Sequence, residues 1–250
     1  MTKDYNIFYN FDIRCHQGEN DSYNIFYNFV VNKNDSIITQ WNDGYYVLLE
    51  DNLKGYKDYN IELNTLSLNS LKPLMWRDLW INKSDYIEYY YLNIVGKYKL
   101  IDESINYYLG MLEMAIYYLY DYQDYQDVIF VEHKCFNKTN LFNPLNIKAD
   151  IKERDFSEYL KFIFYNNLYK NMNIEELLFK YRDYYNYELV IARLLYPNYY
   201  FDLFDKVIML KESEDILYKV ISRSGEYEVY LKKIISYVST FFEIKKIDWL

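Results

Sequence analysis

The chain has 250 residues, about half of them apolar, enough to bury a large core as one domain or two unequal lobes and too many for a disordered chain. A formal net charge of −9 without a Lys/Arg block excludes the electrostatic footprint of a nucleic-acid binder. There is no run of ~18 apolar residues, no apolar leader in MTKDYNIFYNFDI and no disulfide framework in Cys15 and Cys135, so a cytoplasmic protein without a membrane span is expected.

Residues 1–50 read as strands. YNIFYNF occurs at Tyr5–Phe11 and again at Tyr23–Phe29, around a turn-rich polar stretch, which predicts a hairpin. The abundance of Tyr, Asn, Ile and Lys, with only 6 Gly and 3 Pro, matches AT-rich codons and explains 34 tyrosines without a stacking function. A second hairpin is expected from Ser36–Trp41 and Tyr45–Leu49 around Asp43-Gly44.

From Pro73 the apolar period becomes helical. Ser84 reads as the N-cap of DYIEYYYLNIV, and Gly96 as the residue that ends it. Ile101, Ile105, Tyr108, Leu112, Ile116 and Leu119 recur at three- and four-residue steps and predict one long helix. DYQDYQD (Asp121–Asp127) lacks the glycine and terminal glutamate of a calcium loop and reads as a solvated turn. A short strand at Val128–Val131, a polar loop, and a helix near Arg154–Asn166 follow. Asn173 with Glu176 forms a capping box, Pro197 ends the helix begun at Leu189, and Ser213 opens the last helical region, broken near Gly225.

Chemistry concentrates in Asp127–Phe164. His133, Cys135 and Asn140 keep the spacing of His-x-Asp-x4-Asn, with cysteine where the aspartate belongs. Cys15, His16, His133 and Cys135 are all the cysteines and histidines of the chain, but their spacing fits no common zinc motif.

The stretches WRDLWINKSDYIEYY (Trp76–Tyr90), ESINYYLGMLEMAIYYL (Glu103–Leu119), NPLNIKADIKERDFSEYLK (Asn143–Lys161) and ELVIARLLYPNYYFDLFDKVI (Glu188–Ile208) carry a resemblance. Together they resemble the spore-coat-associated branch of the aminoglycoside phosphotransferase-like proteins of Firmicutes. The resemblance implies an α+β, two-lobed kinase-like fold, with a reduced antiparallel β N-lobe (residues 1–60) and a large helical C-lobe (61–250) holding the loop 128–155. It places Cys135 at the catalytic aspartate position beside His133, puts Asn140 and Asp150 at the two positions that hold magnesium against ATP, and makes Asp155 a structural aspartate.

Several departures argue against activity. A thiol does not accept and hold a proton as a carboxylate does. The only phosphate-loop candidate, His16-Gln17-Gly18, has a single glycine, Lys33 is the nearest candidate for the strand lysine, and Tyr45–Asp51 reads as an edge strand entering a hinge. Asp150 has a plainer account as an acid favoured at a helix N-terminus. The preferred reading is therefore a degenerate phosphotransferase-like protein, a pseudokinase serving as scaffold or interaction module with a protein partner, spore-coat or envelope associated, with no cofactor. The alternative is an active Mg-ATP-dependent small-molecule phosphotransferase. There Asn140 and Asp150 hold the metal, and Glu132 or Glu153 orients the substrate hydroxyl.

Overall fold

The computed structural model describes residues 5–11, 37–41, 44–50, 67–73, 75–122, 126–133 and 147–247, with side-chain surroundings for 75–122 and 150–247. The chain falls into two compact units, Met1–Lys72 with Gln126–Leu168, and Pro73–Tyr125 with Tyr169–Leu250.

In the first unit, β1 (Tyr5–Phe11), β3 (Gly44–Glu50) and β2 (Ile37–Trp41) form an antiparallel sheet in the order β1-β3-β2. The expected second hairpin is seen in the β2–β3 ladder, with Trp41 opposite Gly44; Asn42 and Asp43 lie outside the described residues. The expected partner of Tyr5–Phe11 was the second YNIFYNF copy, which lies outside the described residues; β1 is paired with β3. This makes β3 a central strand, correcting the reading of Tyr45–Asp51 as an edge. A second three-stranded sheet has the order β4 (Ser67–Pro73), β5 (Gln126–His133), β6 (Ile147–Asp150). Helix α3 (Glu153–Tyr165) follows β6 and packs against β5.

The second unit is helical. It contains α1 (Trp76–Leu92), α2 (Lys99–Tyr118), α4 (Ile174–Lys180), α5 (Tyr187–Leu195), α6 (Asn198–Met209), α7 (Tyr218–Ile221) and α8 (Ser224–Val238). Its centre is the pair α2 and α5. On α2 the buried stripe runs Ile101, Ile105, Tyr108, Leu112, Ala115 and Tyr118, at three- and four-residue spacing; of the expected stripe, Leu119 is buried at the C-cap and Ile116 is only half-buried. Helix α5 is buried along its whole apolar run, Leu189 to Leu195. Tyr108 stacks on Tyr200 of α6 with ring centroids 3.8 Å apart, and the Tyr200 hydroxyl meets Ser104 Oγ at 2.8 Å.

Local signals set several boundaries. The Asn173 side chain accepts the Glu176 N–H at 3.3 Å and caps α4, as the capping box predicts. Pro197 separates α5 from α6. Ser213 caps the 3₁₀ turn Glu214–Leu217, while Gly225 lies inside the first turn of α8. The N-cap expected at Ser84 is not one. Ser84 is buried in the middle of α1, because the apolar stripe begins two turns earlier at Trp76 and Trp80 and carries the helix with it. Gly96 adopts φ 78° in the turn beyond the Asn93 C-cap, where its N–H is accepted by Asp102 Oδ2 at 3.0 Å.

The fold class expected from the resemblance is corrected here. Across 75–122 and 150–247, 74% of residues are helical and Asp150 is the single strand residue among them. A kinase-like α+β fold with a reduced antiparallel β N-lobe is not observed. The helical apolar period governs almost all of the chain whose packing is described, and strand pairing is divided between two small sheets, one of them built from residues beyond position 60.

Candidate functional site

The predicted site residues distribute around the β5–β6 ladder and the start of α3. His133 is the last residue of β5 and pairs with Ile147, while Asp150 is the last residue of β6 and pairs with Phe130. Three register steps separate them, roughly 10 Å along the strands. That separation is odd in number, so the two positions alternate to opposite faces of the pleat. The ladder therefore does not bring these two positions together. Glu132 sits opposite Lys148 in the same ladder. Cys135 and Asn140, together with Cys15, His16, Gly18 and Lys33, lie outside the described residues. Among the described residues no group of three or more His, Cys, Asp or Glu is gathered as a metal site would need.

Asp150 passes from strand to helix in a tight local network. Its Oδ1 accepts the N–H of Ile151 at 3.0 Å, and its Oδ2 lies 3.4 Å from Arg154 Nη1. Both side chains are about nine-tenths buried, at 10% and 9% exposure. Arg154 N–H is accepted by the carbonyl of Ile151 at 3.1 Å, so the strand end, the turn and the first helical turn are tied together. Glu153 and Asp155 occupy the first turn of α3, where the helix dipole favours acids, and both are fully buried.

The burial of α3 was not anticipated from its sequence. Residues Glu153 to Phe164 are all buried, including Arg154, Asp155, Glu158 and Lys161. Lys161 Nζ and Glu158 Oε1 lie 3.8 Å apart at 2% and 1% exposure. Charge in an interior is tolerated when it is paired, and that is the arrangement at both ends of this segment. The spacings Asp150–Arg154 and Glu158–Lys161, i+4 and i+3, were the available signal. What the arrangement does chemically is hold a carboxylate beside a guanidinium. A neutralised carboxylate of this kind orders the strand-to-helix turn and is poorly suited to collecting a divalent cation. The fit of these residues to Mg-ATP is accordingly weak at the one metal position that is described.

A helical body with a compact charged turn between β6 and α3 identifies no reaction by itself. Comparison with known sequences gives the class: the chain belongs to the family described as "Spore coat putative kinase YutH", which matches residues 19–234. It is also 25% identical over 208 residues to the endospore coat-associated protein YutH of Bacillus subtilis (strain 168). That match covers 70% of this chain and 61% of the relative, so the chain spans about three fifths of the relative's length. No solved structure matches the chain. The spore-coat part of the resemblance is therefore shown. No helix among the described residues is long and apolar enough to cross a membrane.

Proposed function

We propose that this chain is a non-catalytic member of the spore-coat family, working as a scaffold or interaction module for a protein partner at the coat. The observation that carries the reading is the commitment of Asp150 to Arg154 at 3.4 Å within a buried turn. At this position the resemblance calls for a carboxylate open to magnesium. Cys135, where the same resemblance calls for the catalytic aspartate, points the same way, since a thiol does not replace a carboxylate as the group that orients a hydroxyl.

The test is nucleotide binding. Thermal unfolding of the wild-type chain is followed with and without millimolar ATP and Mg²⁺, beside Asp150→Ala and Cys135→Asp, each variant referred to its own unliganded midpoint. The expected result is no magnesium-dependent shift for the wild type. A shift in the wild type that disappears in Asp150→Ala, or ATP hydrolysis with the same dependence, would overturn the proposal. It would favour the active phosphotransferase in which Asn140 and Asp150 hold Mg-ATP and Glu132 or Glu153 serves the substrate hydroxyl.

A further inference from the structure

Between α8 and the extended segment 243–247 of the second unit lies an open cavity of about 500 Å³. That is within the range of roughly 300–1,000 Å³ typical of small-molecule sites. Helical spacing puts Lys232 and Ser236 on one stripe of α8 facing it, at i and i+4, and the C-cap residue Ser239 lines it just beyond the helix end. The opposite wall is contributed by Ile244, Lys246 and Ile247.

The charge of this cavity is opposite to that of the chain. Acids outnumber bases 37 to 28 overall, yet among the described residues no acid lines the cavity and three lysines do. One of the three, Lys245, is committed elsewhere: its Nζ is 2.8 Å from Asp121 Oδ2 and donates to the Tyr118 carbonyl at 3.3 Å. On α8 the neighbouring Lys233 is paired with Glu175 at 3.2 Å and does not line the cavity. Lys232 has no carboxylate partner among the described residues, and the Ser236 hydroxyl makes no hydrogen bond among them. The Ser239 hydroxyl, by contrast, donates to the Ile235 carbonyl at 2.7 Å, which quiets one of the partly negative carbonyls at the end of the helix.

An ammonium and a hydroxyl one turn apart, both with donors to spare, suit a phosphate or carboxylate group. Three isoleucines, Ile235, Ile244 and Ile247, give the rest of the wall an apolar character. We propose that this cavity binds a small organic anion, its phosphate or carboxylate held by Lys232 and Ser236 and its compact apolar body laid against the isoleucines.

The experiment titrates the full chain with phenyl phosphate, benzoate and inorganic phosphate, following amide resonances by NMR. Expected are saturable shifts at α8 and 244–247, phenyl phosphate or benzoate binding at least about fivefold tighter than inorganic phosphate, and about tenfold weaker binding in Lys232→Glu. The relative strength of phenyl phosphate and benzoate decides which anionic group is preferred. Ser236→Ala weakens binding by a smaller factor. Lys219→Glu, the same charge change at an exposed position of α7, leaves it intact. Absence of shifts at about 10 mM of every probe would overturn the proposal. So would equal weakening by Lys232→Glu and Lys219→Glu, and inorganic phosphate binding as tightly as the aromatic probes would remove the apolar half of the site.

Discussion

Arg193 is 5% exposed, and three aromatic rings surround its guanidinium: Trp76 at 5.5 Å, Trp80 at 5.8 Å and Tyr196 at 5.1 Å. Trp80 itself stacks on Tyr196 with centroids 4.6 Å apart. A planar, weakly hydrated cation can lie against these rings, whereas a compact ammonium would lose the stacking and keep a larger desolvation cost. Arg193→Lys is therefore expected to destabilise the chain by about 2 kcal/mol in urea unfolding, despite keeping the charge. The Asp150–Arg154 pair obeys a related rule. Removing the guanidinium leaves a carboxylate nine-tenths buried, so Arg154→Met should cost about 3 kcal/mol. The double variant with Asp150→Asn should cost less than the sum of the two single losses, and a double-mutant cycle measures the difference. The i+4 spacing of this pair is readable in the sequence. Its burial, and that of Glu158 with Lys161, is not. A run such as ERDFSEYLK reads as a helix with one wet face until tertiary packing covers that face.

Among the elements, α2 shows how a helix end is completed from far away. Tyr98 provides no side-chain cap, and the Leu100 N–H is accepted instead by Glu214 Oε2 at 2.7 Å, across 114 residues. The carboxylate both satisfies an orphan donor and lies at the positive end of the dipole. Glu214→Ala is expected to lower stability by about 1–2 kcal/mol. It should also raise the exchange rate of the Leu100 amide selectively, with Gly96, bonded to Asp102, as the internal reference. Unchanged Leu100 protection would count against this role. Asn173 and Pro197 were legible because their effects act within a few residues of their own positions. Glu214 was not, since a cap donated from another element has no local signature. Ser84 fails for a similar reason: a residue favoured at N-caps is also tolerated mid-helix when the flanking stripe, here Trp76, Trp80 and Ile87, buries that face. For the site, the spacing from His133 to Asp150 could be counted in the sequence. The ladder register that sets the two positions apart could not.

At the scale of the whole molecule, the helical period was legible through the second unit and four strands, Tyr5–Phe11, Ile37–Trp41, Gly44–Glu50 and Gln126–His133, were legible to within a few residues, whereas Ser67–Pro73 and Ile147–Asp150 were not. The pairing of β1 with β3 joins residues about forty positions apart, a contact set by register and face that no local pattern announces. Several tyrosines of the second unit are turned inward, and this gives the unit an alkaline limit. Tyr86 is pushed up to about 12 by burial first and then by Asp205, and Tyr122 to about 12 by burial first, with Glu188 adding to the rise and Asn186 opposing it. Burial also raises Tyr118, Tyr187 and Tyr200, Glu188 and Asp183 adding to the first two and the Ser104 hydrogen bond offsetting part of the third. An unfolded tyrosine ionises near 10, so above that pH the unfolded chain releases protons that the folded chain retains. The stabilisation is thus complete below about pH 10 and is lost as pH rises toward the folded values, each such phenol steepening the slope by up to about 1.4 kcal/mol per pH unit. Urea unfolding between pH 8 and 12, recorded beside tyrosinate absorbance, should show stability level to about pH 10, then a fall in which the buried phenols ionise together with unfolding. A folded chain whose tyrosines all titrate near 10 with no loss of stability would show that these hydroxyls are not held inside as described.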